Sequence, residues 1–189
     1  PSSYVNYYCV ECSQLVCKQC TKINENEHFC HRIISGNKLS KTLKTSIASL
    51  TKIMTGIVAI ENIDNLDEKV KLTNADFKGL REANLVTAGF KVGEEVTYRD
   101  LLYGLMLSSG ADAAQALTRL VAGSIDNYIN LMNQKAVELG LKNTHFINPT
   151  GLDAEGHYST VEDIGILFQY AIKNEEFLLK AKAFFSNEG

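Results

Sequence analysis

After residue 48 the apolar residues of this chain fall mostly at three- and four-residue spacing, the period of helices with one buried face. Ile53, Ile57 and Ile60 define a first helix over residues 49–62. Gly56 lies inside it, where glycine costs about 1 kcal/mol relative to alanine, which predicts close packing against another element. Lys69-Val70-Lys71-Leu72-Thr73 alternates and reads as a short strand. Residues 74–94 have weak periodicity and three glycines and read as loops. Gly93-Glu94-Glu95-Val96-Thr97 predicts a turn into a helix, with Thr97 as N-cap and Asp100 three positions on. That helix runs over 98–107, with Leu101, Leu102, Leu105 and Met106 on its apolar side. Ser108-Ser109-Gly110 breaks it, and an alanine-rich helix follows over 111–122, stopped by Gly123. Ser124 caps a helix to Leu139 with Gly140 as its stop. Residues 141–158 form a long loop, of the kind that is often functional. Ser159-x-x-Glu162 is a capping-box pattern for a helix through Ile172, and a last helix is expected over 174–185. The fold class is mainly α.

Composition changes this picture at one place. Hydrophobic content of 45%, charged content of 22%, a net charge of -3 and a pI near 5.8 describe an ordinary globular chain. They offer no electrostatic case for nucleic acid as a partner. No apolar run approaches the ~20 residues of a transmembrane segment. The opening Pro1-Ser2-Ser3-Tyr4 shows no basic-then-apolar pattern, so no signal peptide is expected. All five cysteines, however, lie in the first 30 residues. This predicts a small segment over 1–34, a polar basic linker over 35–48, and the helical domain over 49–189.

The early segment reads Cys9-x2-Cys12-x4-Cys17-x2-Cys20, then His28-x2-His31 with Cys30 between. Two C-x-x-C pairs each place two thiolates on a tight turn, which suits tetrahedral zinc. A disulfide cluster fits less well, because five is odd and nothing points to an oxidising compartment. The stretch from Tyr8 to Cys20 with His28 and His31 resembles the second half of a B-box zinc finger. That resemblance implies one site from Cys9, Cys12, His28 and His31, with Cys17 and Cys20 as half of another, and a protein partner for the segment. A single four-thiolate site from Cys9, Cys12, Cys17 and Cys20 is the simpler alternative. A structural zinc is expected in either case.

Ser49-Leu50-Thr51-Lys52 carries the other candidate chemistry. Residues three apart on a helix share a face, so a neutral Lys52 can take the proton of Ser49 and make it a nucleophile. The two-letter pattern arises about once by chance in a chain of this length, and Ser35-Gly36-Asn37-Lys38 is a second match in a turn-like context. Company decides between them. Downstream of Ser49 come Ser108-Ser109-Gly110-Ala111-Asp112-Ala113, then Asn148-Pro149-Thr150-Gly151-Leu152 and His157-Tyr158-Ser159-Thr160. In this order the run over residues 47–173 resembles the D-alanyl-D-alanine carboxypeptidase family of penicillin-binding proteins.

The resemblance implies that Ser49 is the acylated nucleophile, Lys52 its general base, and Ser109 a proton relay to the leaving group. It implies an oxyanion hole using the Ser49 N–H, peptidoglycan stem peptides as substrate, β-lactams as acylating ligands, and no cofactor for catalysis. It also implies an extracytoplasmic location, whereas a zinc-thiolate module belongs in the cytoplasm. Ala111 stands where the family places a substrate-binding asparagine, and no K-T-G follows the helices within these 189 residues. The fold implied is the helical subdomain of the penicillin-binding/β-lactamase-like α/β fold with little of its sheet, preceded by the zinc-finger-like segment. The alternatives are a zinc-dependent interaction module on an inactive helical scaffold, and a chimeric chain. His145 and His157 are expected to shape the long loop, and Asp112 to cap the helix after Ser109.

Overall fold

A helix over Thr51–Glu61 (α1) is buried at every residue from Thr51 to Ala59, and the larger part of the fold is assembled around it. The computed structural model describes residues 5–9, 14–17, 42–174 and 177. The chain divides into two units, residues 1–41 and 42–189.

In the first unit, Val5–Cys9 (β1) pairs antiparallel with Gln14–Cys17 (β2), with Cys9 opposite Gln14 and Cys17 opposite Val5. Cys12, Cys20, His28 and His31 lie outside the described residues, and Cys9 and Cys17 are described by their backbone alone. The zinc reading therefore falls outside what the structure describes.

In the second unit, Lys69–Lys71 (β3) and Glu95–Thr97 (β4) form a two-stranded antiparallel sheet, with Val70 opposite Val96. Helices follow at Tyr98–Leu107 (α2), Ala111–Ala122 (α3), Ile125–Glu138 (α4) and Val161–Ala171 (α5). Two apolar clusters flank α1. On one side Ile53, Met54, Ile57 and Val58 pack with Tyr128 and Met132 of α4, Phe146 of the following loop and Leu167 of α5. On the other, Ala59 meets Leu101, Leu102 and Leu105 of α2 and Ala113, Ala114 and Leu117 of α3, closed by Leu72 and Val96 beside the small sheet. Each fully buried Leu or Ile contributes roughly 1.5–3 kcal/mol, so α1 is fixed from both sides.

The ends of the helices follow local chemistry. Thr97 and Asp100 form a reciprocal capping box, with Asp100 N–H donating to Thr97 Oγ1 at 3.1 Å and Thr97 N–H to Asp100 Oδ2 at 2.8 Å. Ser124 accepts from the Asn127 N–H at 3.2 Å, and Gly123 ends α3 with φ of 74°.

Four features differ from the sequence expectation. Glu95–Thr97 is a strand rather than a turn, because its three residues complete the β3 ladder before the Thr97 cap. The cap of α5 is Thr160, which accepts from Asp163 N–H at 3.2 Å. Ser159 is diverted: its hydroxyl bonds Thr144 Oγ1 at 2.7 Å, and its backbone pairs with Thr45. α1 starts at Thr51, and Ser49 stands before it in a 3-10 turn over Ala48–Leu50. Finally, a Cβ on Gly56 would meet Phe177, Leu105 and Met106 at 3.4–3.5 Å, which is ordinary van der Waals contact rather than an obstruction.

Loop 141–158 is ordered by internal bonds. His145 and Tyr158 exchange backbone hydrogen bonds at 2.9 and 3.1 Å. Asn133 of α4 holds both backbone groups of Phe146, at 2.8 and 2.9 Å. The buried Asp163 carboxylate accepts from Asn143 N–H at 2.7 Å and Thr144 Oγ1 at 2.8 Å. This scaffolding presents residues 148–152 to the N-terminal end of α1.

Candidate active site

Ser49 is exposed and reaches its position through a strained backbone. Ala48, just before it, has φ of 44°, a left-handed conformation that a residue with a Cβ rarely adopts. Gly151 explains how that geometry is enforced. Its φ is 83°, and a Cβ there would overlap the Ala48 carbonyl oxygen and lie 3.2 Å from the Ser49 nitrogen. Only glycine lets the 148–152 loop press against this peptide. The first bond of the 3-10 turn runs from Leu50 N–H to the Ile47 carbonyl at 3.0 Å, so the Ser49 N–H stands ahead of the bonded series.

One helical turn on, Lys52 is 5% exposed. Its Nζ donates to the Thr150 carbonyl at 2.6 Å and to Ser49 Oγ at 3.5 Å. The second distance is long for a hydrogen bond. Among the described residues no carboxylate pairs with this lysine. Burial therefore lowers its pKa below the ordinary lysine value.

Ser109, between α2 and α3, donates its hydroxyl to Ser49 Oγ at 2.9 Å across 60 residues of sequence. It too is strained, with φ of 53°. The neighbouring bonds hold it: Gly110 N–H to Gly104 carbonyl at 3.0 Å and Ala111 N–H to Val86 carbonyl at 2.8 Å. Asp112 is not the cap that the sequence suggests: it is the second residue of α3, whose N-cap is Gly110 without a side-chain cap bond. Its carboxylate accepts from Ala88, Gly89 and Phe90 N–H at 2.8, 3.2 and 3.3 Å, strapping that segment to the start of α3. Ser49, Lys52 and Ser109 line one open cleft of about 300 Å³, with Ile47, Leu105 and Met106 forming its apolar wall.

Ala111 does not join them. It is 1% exposed at the start of α3 and is not among the residues lining the cleft. Its methyl group offers no hydrogen bond to a ligand.

A serine hydroxyl, a desolvated amine with no carboxylate paired to it among the described residues, and a second serine, meeting in an apolar-walled cleft, are parts that can serve acyl transfer. The family model described as D-alanyl-D-alanine carboxypeptidase matches residues 31–183. The chain belongs to the D-alanyl-D-alanine carboxypeptidase family. It is 40% identical over 132 residues to the D-alanyl-D-alanine carboxypeptidase DacF of Bacillus subtilis (strain 168), covering 68% of this chain and 33% of that protein. It is 38% identical over 150 residues to the D-alanyl-D-alanine carboxypeptidase of Streptomyces sp. (strain K15), covering 75% of this chain and 52% of that one. Among solved structures, the Streptomyces K15 DD-transpeptidase superposes with a TM-score of 0.71 at 36% identity, covering 77% of this chain and 60% of that chain. The chain thus spans about a third to a half of the length of these two relatives. The fold is that of the penicillin-binding proteins, helix-rich with small sheets among the described residues.

Three contributors to this candidate site carry no role in the sequence reading. Thr150 enters through its backbone carbonyl, which leaves no side-chain signature. Gly151 was visible as a glycine in a quoted motif, but its contact with Ala48 is tertiary. Thr51 Oγ1 bonds His157 Nε2 at 2.7 Å, tying α1 to the long loop. Because His157 Nδ1 accepts from Ile147 N–H at 3.1 Å, Nε2 carries the proton and donates to Thr51. Burial first, and His145 nearby, hold the His157 pKa below its ordinary value, against an opposing pull from Asp153.

Among the described residues no cluster of three or more His, Cys, Asp or Glu converges to hold a metal ion. Nor is any helix there long and apolar enough to cross a membrane.

Proposed function

We propose that this chain carries the acylating half-site of a serine-type D-alanyl-D-alanine carboxypeptidase. The observation that carries the proposal is the meeting of Ser49 Oγ with Ser109 Oγ at 2.9 Å and Lys52 Nζ at 3.5 Å. The substrate is a peptidoglycan stem peptide ending in D-alanyl-D-alanine. Ser49 Oγ attacks the carbonyl carbon of the penultimate residue as neutral Lys52 takes its proton. The Ser49 N–H faces the oxygen that gains charge. Collapse of the tetrahedral intermediate breaks the C–N bond. The proton returns through Ser109 to the departing amine, and free D-alanine leaves. Water then attacks the ester carbonyl as Lys52 takes its proton; the bond from the acyl carbon to Ser49 Oγ breaks, Lys52 returns the proton to Oγ, and the shortened peptide leaves with a free carboxyl end.

β-Lactams acylate the same oxygen by ring opening. Ala111 supplies no side-chain contact to either ligand, so substrate orientation falls to the cleft walls and to backbone groups. No metal or organic cofactor enters the scheme. A substrate of this kind places the site in the cell wall, outside the cytoplasm.

Fluorescent penicillin tests the proposal. Covalent label on the wild-type chain that disappears in Ser49→Ala, together with release of D-alanine from a diacylated tripeptide ending in D-alanyl-D-alanine, supports it. No label at saturating penicillin overturns it for this chain.

A further inference from the structure

The turn over Asn148–Leu152 makes more bonds than a connector needs, and they converge on one residue. Asn148 Oδ1 accepts from Thr150 N–H at 3.2 Å, Thr150 Oγ1 at 3.1 Å, Gly151 N–H at 2.7 Å and Leu152 N–H at 3.1 Å. Its Nδ2 donates to the Leu152 carbonyl at 2.8 Å. One amide side chain therefore fixes the whole turn, in the manner of an extended Asx turn. Pro149 is tied to α1 as well, its carbonyl accepting from Thr55 Oγ1 at 2.7 Å.

The result is a carbonyl aimed inward. Thr150 O meets Lys52 Nζ at 2.6 Å, closer than Ser49 does. A neutral amine has two N–H donors and one lone pair. With one N–H committed to Thr150, rotation about the Cε–Nζ bond is restricted, and the lone pair can be held toward Ser49. The same turn seats Gly151 against the Ala48 carbonyl, so it braces the strained peptide before the nucleophile too.

We infer that Asn148 is a positioning residue for the acylation step, acting through the Thr150 carbonyl on Lys52 and through Gly151 on the Ala48–Ser49 peptide. The inference rests on Lys52 being the base of the proposed function. Asn148 touches neither the nucleophile nor the cleft. Its effect is to keep the lysine dry, oriented and in line with Ser49.

The test follows Lys52 itself. Lysine labelled with ¹³C at Cε reports its titration by NMR in wild type, Asn148→Ala, the milder Asn148→Ser, and Asn133→Ala. Asn133 anchors the same loop at Phe146, so its variant controls for general loosening. Without the turn, water reaches Lys52, and its midpoint rises toward the ordinary lysine value. Acylation by fluorescent penicillin at neutral pH then slows about tenfold or more. Asn148→Ser falls between Asn148→Ala and wild type, and Asn133→Ala changes stability without moving the midpoint. A midpoint unchanged or lowered in the folded Asn148 variants overturns the inference, as does an equal shift in Asn133→Ala. If the wild-type chain takes no label while the Asn148 variants still shift the Lys52 titration, the functional proposal and the acylation role fail, and only the hold of the Asn148 turn on Lys52 stands.

Discussion

Lys52 Nζ lies 2.6 Å from the carbonyl of Thr150 and 3.5 Å from the hydroxyl of Ser49, so the base is anchored to a loop behind it before it serves the nucleophile in front. Burial is what makes this arrangement usable. A fully exposed lysine would be charged at neutral pH and could not accept the serine proton.

The pH dependence of acylation follows from the lowered pKa of Lys52. The active form is the neutral amine, so the second-order rate of penicillin acylation rises as pH rises through the depressed midpoint and levels off above it. Lys52→Arg fixes a permanent positive charge there and removes the titration. It is expected to lose acylation by about two orders of magnitude or more across the range. Stopped-flow or quenched labelling from pH 6 to 10 checks both.

His157 gives a separate, structural pH effect. Its folded pKa lies below the unfolded value near 6.5, so the unfolded chain binds the extra proton first as pH falls. Stability is full above the unfolded pKa and is lost progressively as pH drops toward the lower folded value. Protonating Nδ1 also removes the acceptor for Ile147 N–H. His157→Asn is expected to flatten this part of the profile, which urea midpoints between pH 5 and 8 will show.

Two glycines of opposite character make a paired prediction. Gly56→Ala gains helix propensity and meets its neighbours at ordinary contact distance, so stability should rise by up to about 1 kcal/mol. Gly151→Ala meets both a left-handed backbone and the Ala48 carbonyl, and should cost about 2 kcal/mol or more. Denaturant unfolding of both variants decides this, with loss of label expected for Gly151→Ala alone.

The Asp76–Arg119 pair supports the back of α3. Asp76 is buried within a capping box with Thr73, and Arg119 Nε and Nη2 reach it at 2.7 and 2.9 Å. Burial pushes the Asp76 carboxyl up, but the guanidinium and the Thr73 N–H outweigh it and hold it below its ordinary value. Arg119→Met leaves that carboxylate unpaired and should cost about 2–3 kcal/mol, because Arg119 itself is partly exposed. Protein that remains folded should still label at Ser49, which separates this variant from those in the cleft.

The sequence disclosed what is local and hid what is tertiary. Helix spacing put Ser49 and Lys52 within one turn, and α2 and α3 were legible to the residue because Thr97 and Gly123 punctuate them. Ser109 had no physical signal of its own; the resemblance supplied it. The Ser159 pattern misled by one residue because Thr160-x-x-Asp163 fits the same rule, and only the Thr45 and Thr144 contacts show which hydroxyl is free to cap. Asp76 and Arg119 stand 43 residues apart, and no periodicity joins them. The Thr150 carbonyl is a backbone group, identical in sequence to every other. The six proposed zinc ligands gain nothing from the described residues.

The central claim is that Ser49, Lys52 and Ser109 form one acylating unit. It is tested most directly by mass spectrometry of the intact chain after exposure to benzylpenicillin. The result expected is a single adduct of one penicillin mass, mapped to the peptide containing Ser49, absent in Ser49→Ala and strongly slowed in Ser109→Ala. An unmodified chain, or an adduct that persists in Ser49→Ala, would contradict it.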